Sequence, residues 1–265
     1  MHDQPLEVWG AGAPYERYVG RWSRTIAREF LDWLAISAGA AWADVGCGTG
    51  ALVEGILSQC APASVVGIDR SEGFIQAAAR QLIDPRVRFQ VGDATSLPLD
   101  TDSYDVAVSG LVLNFVSDPA AMVREMIRVT RPGGAVAAYV WDYAGGMAMM
   151  RHFWDAAIAV SPEAAARDQA ERFPLCQPQP LDALWEDLGL SAVSVRAIDI
   201  PTVFRDFEDY WTPFLGKQGA APTYLASVDE ETQERIRSLL ESRLQPGPDG
   251  TIALTARAWA VQGHV

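Results

Sequence analysis

The sequence predicts a doubly wound α/β fold with a mostly parallel sheet, and three observations carry that prediction. The first is Ala43-Asp44-Val45-Gly46-Cys47-Gly48-Thr49-Gly50, an acid followed by glycines at every second position. It lies between an apolar strand pattern at Trp42–Val45 and a helical stripe at Leu52, Val53, Ile56 and Leu57. Glycines tolerate positive φ and let a ligand approach the main chain, so this turn is a ligand cradle. The second is the short apolar run Val65–Ile68 closed by Asp69, the form of a buried parallel strand delivering a carboxylate at its C-terminal edge. The third is alternation. Strand patterns at 87–91, 104–109 and 135–141 are interleaved with helical stripes at Phe74, Ala78, Leu82 and at Met122, Met126, Val129.

Length and composition bound the rest. The 265 residues suffice for one large α/β domain. A net charge of −13, from 34 acidic against 21 basic residues, argues against a nucleic-acid partner, because phosphate neutralisation needs clustered Lys and Arg. No apolar run approaches the roughly 18 residues of a membrane span, and Met1-His2-Asp3-Gln4-Pro5 lacks the basic and apolar regions of a secretory signal. The expectation is a cytoplasmic protein without membrane contact. Cys47, Cys60 and Cys176 have no metal-ligand spacing, so no metal is expected.

The glycine turn leaves its ligand open on pattern alone. Gly46-Cys47-Gly48-Thr49-Gly50-Ala51 satisfies the G-x-G-x-x-G/A dinucleotide pattern, which would make the protein an NAD(P)-dependent oxidoreductase. Asp44 shifts the balance. A carboxylate two residues before the first glycine suits an ammonium on a phosphate-free ligand better than a pyrophosphate, and S-adenosylmethionine is such a ligand.

With Asp44 to Gly50 in place, the sequence resembles the class I S-adenosylmethionine-dependent methyltransferases, whose first motif is D-x-G-x-G-x-G. The likeness continues through Val65-Val66-Gly67-Ile68-Asp69, Gly92-Asp93-Ala94, Tyr104-Asp105-Val106-Ala107-Val108 and Arg131-Pro132-Gly133-Gly134, covering roughly residues 40 to 143. It implies a Rossmann-like, seven-stranded sheet ending in an antiparallel C-terminal hairpin with inserted helices. It also implies one methyltransferase domain over 1–265: an N-terminal helical lid at 15–35, a cofactor core at 40–143, and substrate-side insertions at 144–180 and 204–248.

The same resemblance assigns candidate cofactor contacts. Asp44, Gly46, Cys47 and Gly48 form the cradle, Asp69 takes the ribose hydroxyls, and Asp93 with the Ala94 amide takes the adenine edge. Leu111, after the fourth strand, offers main-chain contacts. Arg70 lies either along the adenine or in solvent. In Tyr15–Ser23, Tyr18 or Trp22 would cover the methionine part and Arg21 would pair its carboxylate, unless these residues anchor the arm on the core.

Beyond Asp142 the chain becomes individual. A helix is expected over 147–170, a proline-punctuated loop over 173–180, a helix at Leu181, Leu184 and Leu188, and a strand over 193–204. An S-x-x-E capping box at Ser227 and Glu230 announces a further helix, and 252–261 supplies the last strand. The aromatic insert Phe204, Phe207, Tyr210, Trp211 and Phe214 reads either as a lid for a planar acceptor or as packing.

Methyl transfer from a sulfonium is an in-line displacement needing chiefly orientation. A general base helps where the acceptor atom is protonated. His152 is the candidate, with Asp142 and Tyr143 as competitors. The expected activity is transfer to O, N or C of a small-molecule acceptor by a monomer or homodimer, with S-adenosylhomocysteine as product. A non-methylating S-adenosylmethionine-binding protein of the same fold is the other alternative.

Overall fold

The structure, a computed structural model, describes residues 20–216 and 219–265. Its sheet has seven strands in the order β3-β2-β1-β4-β5-β7-β6. The strands are β1 Ala41–Val45, β2 Ser64–Asp69, β3 Val87–Val91, β4 Tyr104–Gly110, β5 Thr130–Trp141, β6 Ser191–Phe204 and β7 Ile252–His264. The pairs β1–β2, β1–β4, β2–β3 and β4–β5 are parallel, whereas β7 runs antiparallel to β5. The chain order reverses between β1 and β4, and that switch point is where ligands of open α/β sheets bind, beyond the strands' carboxyl ends.

By contacts the chain divides into two compact units. The larger takes Trp22–Trp141, Leu175–Ile198 and Ala258–Val265. Its helices are α1 Arg21–Leu34, α2 Ala51–Gln59, α3 Glu72–Gln81 and α4 Pro119–Val129. Strands β1, β2 and β4 read as near-continuous apolar runs because helices cover both faces, and Trp42, Val45, Val66, Ile68, Val106 and Val108 are buried. The caps are chemically explicit. Ser71 accepts from the Phe74 amide at 3.3 Å, and Asp118 accepts from the Ala121 amide at 2.8 Å with Pro119 at the first helical position. Ser23 lies inside α1 and is buried.

The second unit comprises Asp142–Pro174 and Asp199–Arg257 together with Arg21. The helix expected over 147–170 is divided: α5 Ala148–Val160 ends at Ser161, and a 3-10 turn at Pro162–Arg167 leads into the short α6 Gln169–Arg172. Proline at the start of that turn removes the donor that would continue α5. In the larger unit, α7 Pro178–Asp187 begins inside the stretch expected as loop, with prolines in its first turn, where the missing N–H costs nothing. The second unit continues with α8 Phe207–Trp211, α9 Ala220–Ser227 and α10 Glu230–Arg243. Asp229, not Ser227, caps α10, accepting from the Thr232 amide at 2.8 Å.

The aromatic insert resolves to packing. Phe204, Tyr210 and Phe214 are buried; Phe214 stacks on Phe153 at 4.6 Å, and the Tyr210 hydroxyl donates to the Met149 carbonyl at 2.9 Å. These side chains form the core of the second unit.

Candidate functional site

The cradle forms where β1 ends. The amides of Gly46 and Cys47 both donate to the Ile68 carbonyl, at 2.7 and 2.9 Å, and the Gly50 amide donates to the Cys47 carbonyl at 2.9 Å. Gly48 donates to Asp69 Oδ2 at 3.0 Å. Gly46, Gly48 and Gly50 all have positive φ, at 81°, 52° and 92°. A Cβ on Gly48 would meet nothing within 4 Å, so its outer side is open to a ligand.

Gly46 is constrained twice. Besides its φ, a Cβ there would stand 2.6 and 2.7 Å from the two methyls of Val112. Gly46→Ala is therefore expected to lose about 2–4 kcal/mol from backbone strain and overpacking combined. A chemical-denaturation midpoint equal to wild type would contradict this.

Asp44 is the buried acid of the site. Its side chain is 1 % exposed, and neither carboxyl oxygen has a hydrogen-bond partner among the described residues. Burial, reinforced by the charge of Asp69, pushes its pKa up to about 8. A buried carboxyl with no partner costs free energy unless a cation arrives to pair it. Burial, then Asp44, then Asp69 likewise push the Cys47 thiol well up, so Cys47 acts as a small packed group.

Asp69 is held in place by two amides, Gly48 on Oδ2 and Ser71 on Oδ1 at 2.8 Å. Each carboxylate oxygen retains acceptor capacity for a hydroxyl. At the end of β3, exposed Asp93 accepts from the Thr95 amide and hydroxyl at 2.8 and 2.7 Å, all through Oδ1. Those bonds, with Arg70 nearby, hold its pKa below the usual carboxylate range. Ala94 follows in the same turn, and Arg70 is exposed.

At the end of β4, Leu111 adopts φ 62°, unusual for a non-glycine residue, and its amide donates to the Tyr139 carbonyl at 2.8 Å. Such strain persists where surrounding structure enforces it and gathers at ligand sites. Val112 and Tyr139 were not indicated by sequence. Their contacts join residues far apart in the chain, and no local pattern encodes them.

Thus Asp44, Gly46, Cys47, Gly48, Asp69 and Leu111 gather at the carboxyl edge of β1, β2 and β4, with Asp93, Ala94 and Arg70 along the neighbouring β2–β3 edge. Trp22 is half-buried at the start of α1 in the same unit, and Tyr18 lies outside the described residues. The Arg21 guanidinium bonds Asp209 at 3.2 Å and sits 4.5 Å from the Phe204 ring centroid. His152 belongs to the second unit, half-buried on α5. Burial pushes its pKa down against the pull of Asp155, and Arg243 pushes it further down. The imidazole is therefore neutral at pH 7 and able to accept a proton.

The donor arrangement separates the two ligand classes that the glycine pattern admits. Pyrophosphate binding uses free loop amides, while an acid at Asp69's place serves a ribose in either class. Here four cradle amides are satisfied internally and the buried Asp44 carboxyl stands two residues before the turn. A cationic amino acid joined to a nucleoside fits; a diphosphate does not.

Comparison with known proteins agrees. Residues 43–138 match a family described as a methyltransferase domain. That match takes in the glycine turn, Asp69, Asp93 and Leu111, and the rest of the chain lies outside it. Over 94 residues it is 37% identical to a demethylmenaquinone methyltransferase of Roseiflexus castenholzii, covering 36% of this chain and 40% of that one. The chain spans less than half the length of the curated relatives it matches. Across 95% of this chain the fold matches 56% of a Haemonchus contortus phosphoethanolamine N-methyltransferase in complex with phosphomonomethylethanolamine and S-adenosylhomocysteine, with TM-score 0.59 and 17% identity. A [4+2]-cyclase, SpnF, shares the fold over 91% of this chain and 81% of its own, with TM-score 0.55 and 17% identity. Fold alone therefore leaves the reaction open.

Proposed function

We propose that the protein transfers a methyl group from S-adenosylmethionine to a small-molecule acceptor. The observation that carries this reading is the buried Asp44 carboxyl with neither oxygen bonded, at the foot of a glycine turn whose amides are already satisfied. Asp44 pairs the cofactor's ammonium, Asp69 accepts both ribose hydroxyls, and Asp93 with Ala94 borders the adenine. Cys47 and Leu111 wall the nucleoside, and Trp22 screens it from water.

The cofactor supplies a methyl carbon already activated by a sulfonium, so the protein's task is orientation and exclusion of water. Orientation of this kind is worth roughly 7–11 kcal/mol. The net negative charge favours a small acceptor over a nucleic acid. The demethylmenaquinone methyltransferases among the relatives support an acceptor of metabolite size. His152 is the proposed base, with a neutral imidazole at pH 7. His152→Ala is expected to lower turnover about 10²-fold or more with cofactor affinity unchanged. Equal turnover would remove it from the mechanism.

S-adenosylhomocysteine should raise the melting temperature and NAD should not, since a ligand that binds only the folded state stabilises it by mass action. A shift with NAD and none with S-adenosylhomocysteine would reverse the assignment.

A further inference from the structure

We propose that the Tyr139 hydroxyl is a second ligand of the ammonium group paired by Asp44, so that Tyr139 fixes the amino-acid end of the cofactor. This rests on the reading of the site given above. Register supplies the geometry. Asp44 pairs with Val108, Val108 with Ala137, and Gly110 with Tyr139. Paired residues of parallel strands project to one face and alternate residues share it, so Asp44, Val108, Gly110, Ala137 and Tyr139 all lie on one side of the sheet.

Gly110 lets the phenol cross β4. A Cβ at Gly110 would stand 2.5 Å from the Tyr139 hydroxyl oxygen and 2.7 Å from Cζ, so the ring occupies the place of a side chain there. The ring tip thus points from β5 over β4 towards β1. Phe30 of α1 packs on it at 4.6 Å, and the Leu111 amide clamps the Tyr139 backbone. Tyr139 is only 2 % exposed.

With strands about 4.8 Å apart and a rise of about 3.3 Å per residue, the Gly110 and Asp44 Cα atoms stand about 8 Å apart. The Asp44 side chain spans part of that distance, and Asp44 has no bond to Tyr139. The interval suits one ammonium donating at about 2.9 Å to each oxygen. An ammonium has three protons to place, and a phenol oxygen accepts one while its own proton goes elsewhere.

The test compares wild type and Tyr139→Phe by titration calorimetry with two ligands, S-adenosylhomocysteine and 5′-methylthioadenosine, which lacks the amino acid. The expected result is a 5- to 20-fold loss for the first ligand, on the scale of one hydrogen bond to a charged group, and no change for the second. Equal affinity of both proteins for S-adenosylhomocysteine, or equal weakening of both ligands, would overturn the proposal. If wild type binds neither ligand, the reading of the whole site fails with it. If only the variant's effect is missing, that reading stands and Tyr139 alone is removed.

Discussion

Asp44→Asn is expected to weaken S-adenosylhomocysteine binding about 10²–10³-fold while leaving 5′-methylthioadenosine within a few-fold. Truncating one partner of a buried charge pair costs about 3–5 kcal/mol, and every 1.4 kcal/mol is tenfold. The second half of the expectation has the opposite sign. Asp44 sits with no partner and its pKa is about 8, against 3.8 for an ordinary aspartate. Between those values the unfolded chain carries the ionised acid while the folded protein holds the proton. The ligand-free fold therefore loses stability as pH rises from about 4 to about 8, and loses no more above that. Over the whole window the loss is on the order of 5 kcal/mol. Asp44→Asn removes the slope, so the ligand-free variant should melt several degrees above wild type at pH 8 and show a flatter pH profile. A variant that is both less stable at pH 8 and equally able to bind would contradict both halves.

Asp69→Ala is the second large effect and has a different signature. Asp69 is held by the Gly48 and Ser71 amides, so its removal loosens the turn and, with the ribose placed as proposed, takes away two charge-assisted hydrogen bonds to it. The expected loss is about 100-fold or more for S-adenosylhomocysteine and 5′-methylthioadenosine alike. Equal binding of the nucleoside by the variant would place the ribose elsewhere. Together the two variants divide the ligand: one residue reads the amino acid and the other reads the sugar.

The parts of this site legible from the sequence were those written locally. Asp44 to Gly50 is contiguous and Asp69 closes an apolar run. What was not legible depends on pairing across the chain. Val112 presses on Gly46 and Tyr139 crosses Gly110 only because β4 lies between β1 and β5. Arg21 reads from sequence either as a partner of the cofactor's carboxylate or as an anchor of the arm, and its ion pair with Asp209, 188 residues away, has no local signal. Local signals also competed. Ser227 and Glu230 match a capping box, yet Asp229 is the cap because a helix over Ala220–Ser227 already contains the serine. That helix opens on Gly219 without a side-chain cap, which is why nothing announced it.

The most direct measurement is the proton count on binding S-adenosylhomocysteine, taken by calorimetry in buffers of different ionisation enthalpy. With Asp44 near pKa 8 and the ligand's ammonium already protonated at pH 7, forming the carboxylate–ammonium pair should release close to one proton at pH 7. Asp44→Asn should release none at pH 7. A wild-type protein that binds S-adenosylhomocysteine tightly at pH 7 with no proton release would contradict the claim that this buried acid receives the ammonium.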